Sequence, residues 1–160
     1  MKPNYKTNAM RILDTKKAVY KVHTYEGADE FKDGVTIANE LGQDARRVFK
    51  TLVTISSSKE YYVFCVPVAE ELCLKAAARA VGEKSVEMIK VGDITKVTGY
   101  IRGGCTPVGM KKEYKTVIDK SAEDLDTFFI SAGKRGFQLE ISLDELKKAK
   151  DFELYDITQK

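Results

Sequence analysis

The chain has 160 residues, with 27 Lys and Arg against 24 Asp and Glu, for a formal net charge of +3. That length suits a single domain, and the near balance of charge excludes a polybasic tail protein. Apolar residues at 43% and charged residues at 32% are ordinary globular usage, which excludes disorder and provides a core that needs neither metal nor disulfide.

Residues 7–17 set Ala9, Met10, Ile12 and Leu13 at helical spacing and predict a first helix, and 19–23 then alternate like a strand. After an acidic loop at 26–33, Ile37, Ala38 and Leu41 form a one-sided stripe closed by Gly42, a residue type that often follows a helix C-terminus. Segments 48–55 and 61–66 are rich in β-branched and aromatic residues around Ser56-Ser57-Ser58-Lys59-Glu60. They predict a hairpin at the centre of the sheet, covered on both faces. The Ala- and Leu-rich stretch 71–81 ends at Gly82 and predicts a third helix. A brief strand at 86–89, a short helix at 91–97 and a glycine-bearing loop at 99–109 follow. Strands are expected at 116–118 and 127–131, and beyond the turn 133–136, where Phe137, Leu139 and Ile141 alternate with Gln138 and Glu140. Ser142 with Glu145 reads as a capping box before Leu143, Leu146 and Ala149, and 152–155 as a last strand. With no repeat or linker to divide it, residues 1–160 are expected to form one α/β domain. Its sheet or barrel should be mixed, largely antiparallel, with about six or more strands and helices around it.

Cys65, Cys73 and Cys105 have neither CxxC spacing nor a Cys/His grouping, so they read as reduced thiols. The start, Met1-Lys2-Pro3-Asn4-Tyr5-Lys6, carries no apolar leader, and no apolar run approaches the length of about 18 residues that spans a membrane. A cytoplasmic protein without a membrane partner is expected. The one histidine, His23, ends a short alternating run, where an exposed or hydrogen-bonded role is favoured over catalysis. It excludes HExxH and multi-histidine metal sites, and no metal or cofactor is called for.

Three constellations could carry chemistry. Lys50, in Val48-Phe49-Lys50-Thr51-Leu52, shares a strand face with Val48 and Leu52. It either snorkels at a strand end or supplies a fixed positive charge at the floor of a pocket. Gly103-Gly104-Cys105-Thr106-Pro107-Val108-Gly109 lets backbone N–H groups approach a ligand, with Pro107 as stiffener, or is a tight structural turn. It matches neither GxxxxGK[ST] nor GxGxxG. Cys105 within it has no visible base or pKa-lowering partner, which disfavours a nucleophile. Ser131-Ala132-Gly133-Lys134-Arg135-Gly136 is a strand end entering a basic turn, either solvated or suited to phosphates, and Lys111, Lys112 and Lys115 add a second basic cluster.

In this order, VFKTL, Val66-Pro67-Val68, GGCTPVG followed by Lys111-Lys112, and SAGKRG, the chain resembles the YbaK/EbsC family of Cys-tRNA(Pro) and Cys-tRNA deacylases. That family is related to the editing insertion domain of bacterial prolyl-tRNA synthetases, and the resemblance spans nearly the whole chain. It implies a trans-editing hydrolase that cleaves the ester between a mischarged amino acid and the terminal ribose of tRNA. By the same resemblance Lys50 is the essential lysine, and Gly103, Gly104, Pro107 and Gly109 shape the aminoacyl loop. Ser131 and Gly133 close the pocket, and Tyr20 and Thr51 line it. Phosphate contacts fall to Lys111, Lys112, Lys134 and Arg135. The nucleophile is implied to be the substrate's own thiol, with release of a cyclised product as one route, or a ribose hydroxyl. The implied partners are the acceptor end of aminoacyl-tRNA and prolyl-tRNA synthetase. Cys105 and Ala132 stand where the family more often has an aliphatic residue and a glycine, which leaves the amino acid removed open. Removal of Ala from Ala-tRNA(Pro) and a non-catalytic tRNA- or synthetase-binding module remain alternatives.

Overall fold

Thr7 opens the first helix, α1 (Asn8–Thr15): its hydroxyl accepts from Met10 N–H at 3.1 Å and donates to the carbonyl of Ala132 at 2.6 Å. One side chain therefore caps the helix and ties it to a residue 125 positions further along the chain. The computed structural model describes residues 6–160, and the reading of the first five residues lies outside them.

The chain continues through β1 (Lys21–Thr24), α2 (Gly34–Leu41), β2 (Phe49–Ser56), β3 (Tyr61–Pro67), α3 (Leu74–Val81), β4 (Val86–Met88) and α4 (Ile94–Thr98). It then forms β5 (Lys115–Asp119), β6 (Phe128–Ser131), β7 (Phe137–Ile141), α5 (Leu143–Lys147) and β8 (Glu153–Tyr155). Gly42 and Gly82 end α2 and α3 in left-handed conformation, as their positions after apolar stripes imply. The expected capping box at α5 is only half formed. Ser142 accepts from Glu145 N–H, but the Glu145 carboxylate accepts from Val19 N–H at 2.7 Å and so pins the segment before β1. The helix at 91–97 begins as a 3-10 turn over Val91–Asp93 before α4.

The strands form two sheets, a three-stranded one in the order β1-β7-β6 and a five-stranded one in the order β4-β2-β3-β5-β8. The first is antiparallel throughout; in the second, β3 pairs with β5 and β5 with β8 in parallel. The hairpin β2–β3 lies at the centre, as its β-branched content on both faces requires. A parallel bridge from Val48 to Phe129 joins the two sheets just before β2 begins.

Phe128, Ile130, Leu139 and Ile141 fill the main core with Met10 and Leu13 of α1 and Leu146 of α5. Phe49 enters the same core, its ring edge-on to Phe128 with centroids 5.2 Å apart. A second cluster packs Ala76, Ala77 and Val81 of α3 on Phe64, Val66 and Val117. The register pairs Phe129 with Glu140 and Ser131 with Gln138, so these four share the other face of the three-stranded sheet, turned away from the main core. Buried Lys150 donates to the carbonyl of Tyr114 and pairs with Glu113, which anchors the segment leading into β5. No helix among the described residues is long and apolar enough to cross a membrane.

Candidate functional site

A cavity of about 590 Å³ opens beside the first half of β2, near the junction of the two sheets. Its wall is mainly apolar, with Val48, Leu52, Val68 and Ile89, and Lys50, Thr51, Ser131 and Gln138 bring polar groups to it. That mixture suits a small organic group that a few polar atoms orient.

Lys50 lies opposite Val66 on the face that α3 covers further along. Its side chain is 27% exposed and its Nζ is 3.8 Å from Oε1 of Glu71, itself 76% exposed. An ion pair that open holds its partners weakly, so the ammonium can turn to an anion or to a carbonyl that is gaining negative charge.

The loop facing Lys50 is built around Tyr100. The Tyr100 hydroxyl donates to the carbonyl of Val108 at 2.6 Å, and its ring is 9% exposed. Gly133, at φ +100°, brings the β6–β7 turn against that ring: a Cβ there would stand 3.1 Å from Tyr100 Cε1. Gly104 lets the loop touch the same turn, since a Cβ would come within 3.2 Å of Arg135 N and 3.3 Å of Lys134 Cα. The two glycine-bearing segments, distant in sequence, thus form one wall.

Of the residues singled out from sequence, Lys50, Thr51, Gly103 and Ser131 line the cavity together, and Cys105 joins them. Gly104 and Pro107 are buried behind the wall, and Gly133 abuts Tyr100. Gly109 sits at the loop's end, its carbonyl accepting from Asn8 Nδ2 at 3.2 Å. Tyr20 corrects the expectation. It packs on the main core beside α1 and outside the cavity lining, because its hydroxyl donates to Asp14 at 2.7 Å and accepts from Lys6. Lys111, Lys112 and Lys134 are exposed and Arg135 is half-buried; none of the four lines the cavity.

His23 is spent on structure: its Nε2 is 2.9 Å from Oε1 of Glu140, and its ring meets Phe129 edge-on. Burial pushes the Cys105 thiol up from its ordinary value, against a weaker opposing bond from Thr98, so at neutral pH it is a thiol. Cys65, fully enclosed, is pushed up to about 12 by the same cause.

Phe31, Arg102 and Gln138 also line the cavity and were not singled out from the sequence. Gln138 reads as the outward member of an alternating strand, yet it is 4% exposed, because that face turns to the cavity. Among the described residues its buried Oε1 has no hydrogen-bond partner, which leaves an acceptor beside the cavity.

Residues 29–149 match the aminoacyl-tRNA editing domain family. The chain belongs to the aminoacyl-tRNA editing domain family. Within it, a protein of Enterococcus faecalis (strain ATCC 700802 / V583) is 38% identical over 159 residues, covering 99% of this chain and 97% of that one. It bears the name "Putative Cys-tRNA(Pro)/Cys-tRNA(Cys) deacylase EbsC". The fold recurs in the crystal structure of hypothetical protein APE2540, with a TM-score of 0.83 at 19% identity over 93% of this chain and 97% of that one. It recurs again in a crystal structure described as "a putative trans-editing enzyme for prolyl tRNA synthetase", with a TM-score of 0.81 at 19% identity over 98% and 100%. The two-sheet fold of this chain is thus shared with both solved structures.

Proposed function

We propose that this editing domain hydrolyses the ester between a misattached amino acid and the terminal ribose of tRNA, acting in trans, with cysteine on tRNA(Pro) as the preferred substrate. The observation that carries the reading is the cavity itself: Lys50, the loop at Gly103 and the Ser131 strand end converge on one largely apolar pocket. Full-length similarity to the enterococcal protein supports cysteine as the acyl group and tRNA(Pro) or tRNA(Cys) as its carrier.

The Lys50 ammonium polarises the ester carbonyl and stabilises the negative charge on its oxygen in the transition state. Loop and strand end hold the ester still, which converts attack by a group of the same substrate into an oriented intramolecular step. For cysteine that group is its thiol. As a thiolate it adds to the carbonyl carbon; the carbon–oxygen bond to ribose then breaks, and the ribose oxygen takes up a proton. The released thiolactone is hydrolysed to free cysteine by water. No protein base enters, in keeping with a histidine committed to Glu140 and a Cys105 held as thiol.

The test is deacylation of tRNA(Pro) charged separately with Cys, Ala and Pro. Selective loss of Cys supports the reading. Selective loss of Ala would make the pocket that of an alanyl deacylase, and stability of all three esters would leave a non-catalytic binding module.

A further inference from the structure

We infer that Phe31 and Arg102 form a platform at the mouth of the cavity on which the base of the terminal tRNA nucleotide stacks; the identity of this occupant rests on the deacylase reading. Phe31, in the loop ahead of α2, lines the cavity and keeps 41% of its surface exposed. A single exposed aromatic is ordinary on a protein surface. This one is flanked: the guanidinium carbon of Arg102 lies 3.9 Å from the ring centroid and that of Arg135 lies 5.8 Å from it.

One flanking guanidinium is tied to the loop's backbone. Arg135 Nε donates to the carbonyl of Arg102 at 2.7 Å, which locks the β6–β7 turn to the glycine loop. Between them, Gly103 at φ +87° leaves the backbone bare: a Cβ would stand 3.1 Å from Phe31 Cδ1 and 3.2 Å from Arg135 Nε. The loop thus meets the aromatic ring and both guanidinium groups at one point.

The chemistry of the occupant follows from the connectivity of the substrate. With the aminoacyl group in the cavity beside Lys50, the ribose that carries it lies at the mouth, and its base must leave past the rim. Bases stack on aromatic faces and on guanidinium planes, and arginines beside such a face also receive the adjoining phosphate. Arg102 lies over one face of the Phe31 ring, so the base stacks on the ring's other face or on the outer side of that guanidinium plane, and the two arginines supply the charge for the phosphate. This face also reads no base edge, so it accepts the terminal nucleotide whatever tRNA carries it.

The experiment compares wild type, Phe31→Ala and Phe31→Tyr on an aminoacyl-tRNA that the protein turns over and on the ethyl ester of the same amino acid, which has no base. Phe31→Ala should lose at least about tenfold more kcat/KM on the tRNA than on the ethyl ester, and Phe31→Tyr should recover most of that difference. Equal losses on both substrates would overturn the platform. In parallel, AMP and ribose 5-phosphate are titrated into the same proteins and followed by two-dimensional NMR. Wild type should prefer AMP, and Phe31→Ala should lose the preference; equal binding of the two by wild type would refute the inference. If wild type hydrolyses no aminoacyl-tRNA, the deacylase reading fails, and the AMP preference still decides whether the platform exists.

Discussion

Truncating Lys50 removes the ammonium from the cavity without opening a core void, since the side chain is already 27% exposed. Lys50→Ala should therefore keep its melting temperature while kcat/KM for deacylation drops by about 100-fold or more, the usual loss when one group that stabilises an oxyanion is removed. Cys105→Ser should retain a substantial share of activity, because a thiol whose pKa is raised by burial is a poor nucleophile. A covalent aminoacyl adduct on Cys105, or a folded but inactive Cys105→Ser, would replace the substrate-assisted mechanism with protein nucleophilic catalysis. Glu140 marks a second kind of residue, one that carries stability. The hydroxyl of Thr127, donating at 2.6 Å, and then the bond with His23 hold its carboxyl below the ordinary value of 4.5. A carboxyl depressed in the folded state adds stability above pH 4.5 and loses it as pH falls through the folded value. Urea unfolding of Glu140→Gln should therefore differ most from wild type near neutrality, with the gap closing as the solution is acidified. A gap that stays constant into the acid range would mean that Glu140 acts through packing alone.

At the scale of elements, the helix caps and the central hairpin were legible because their causes are local. Gly42 and Gly82 end stripes of apolar residues, and the β2–β3 segments carry their own β-branched signature. The site was half legible. The glycine composition of 103–109 and of 133–136 singles out both segments of the wall, but the Tyr100 post that joins them depends on contacts across the chain. The misplacement of Tyr20 has the same origin, since only the fold shows that the residue ahead of β1 faces Asp14 of α1. Gln138 was hidden by an alternation that reads as outward when the sheet's second face in fact borders a cavity. The post can be tested. Tyr100→Phe keeps the ring against Gly133 and leaves the buried Val108 carbonyl without its donor, which should cost about 1–3 kcal/mol in chemical denaturation. If the loop that Tyr100 holds belongs to the site, kcat/KM should fall as well. A stability loss with full activity would separate the loop from catalysis.

For the molecule as a whole, a net charge of +3 is too small for long-range attraction to a polyanion, so tRNA binding must draw on a local cluster. The geometry supplies candidates beside the glycine-bearing segments. Lys134 and Arg135 occupy the turn that Gly104 touches, and Lys111 packs beside Gly99 at the C-terminal end of α4. Each phosphate contact releases condensed counterions, so the slope of log Kd against log salt reports how many are made. The double variant Lys111→Gln/Lys134→Gln should reduce the magnitude of that slope by about 2 relative to wild type. Both positions lie outside the cavity lining, so the preference among Cys-, Ala- and Pro-tRNA(Pro) should persist in the variant even as binding weakens. A flatter slope with an unchanged preference would assign the strength of tRNA binding to these lysines and the choice of amino acid to the cavity. An unchanged slope would move the tRNA surface to another face, and an altered amino-acid preference would show that rim and pocket are coupled through the shared glycine wall.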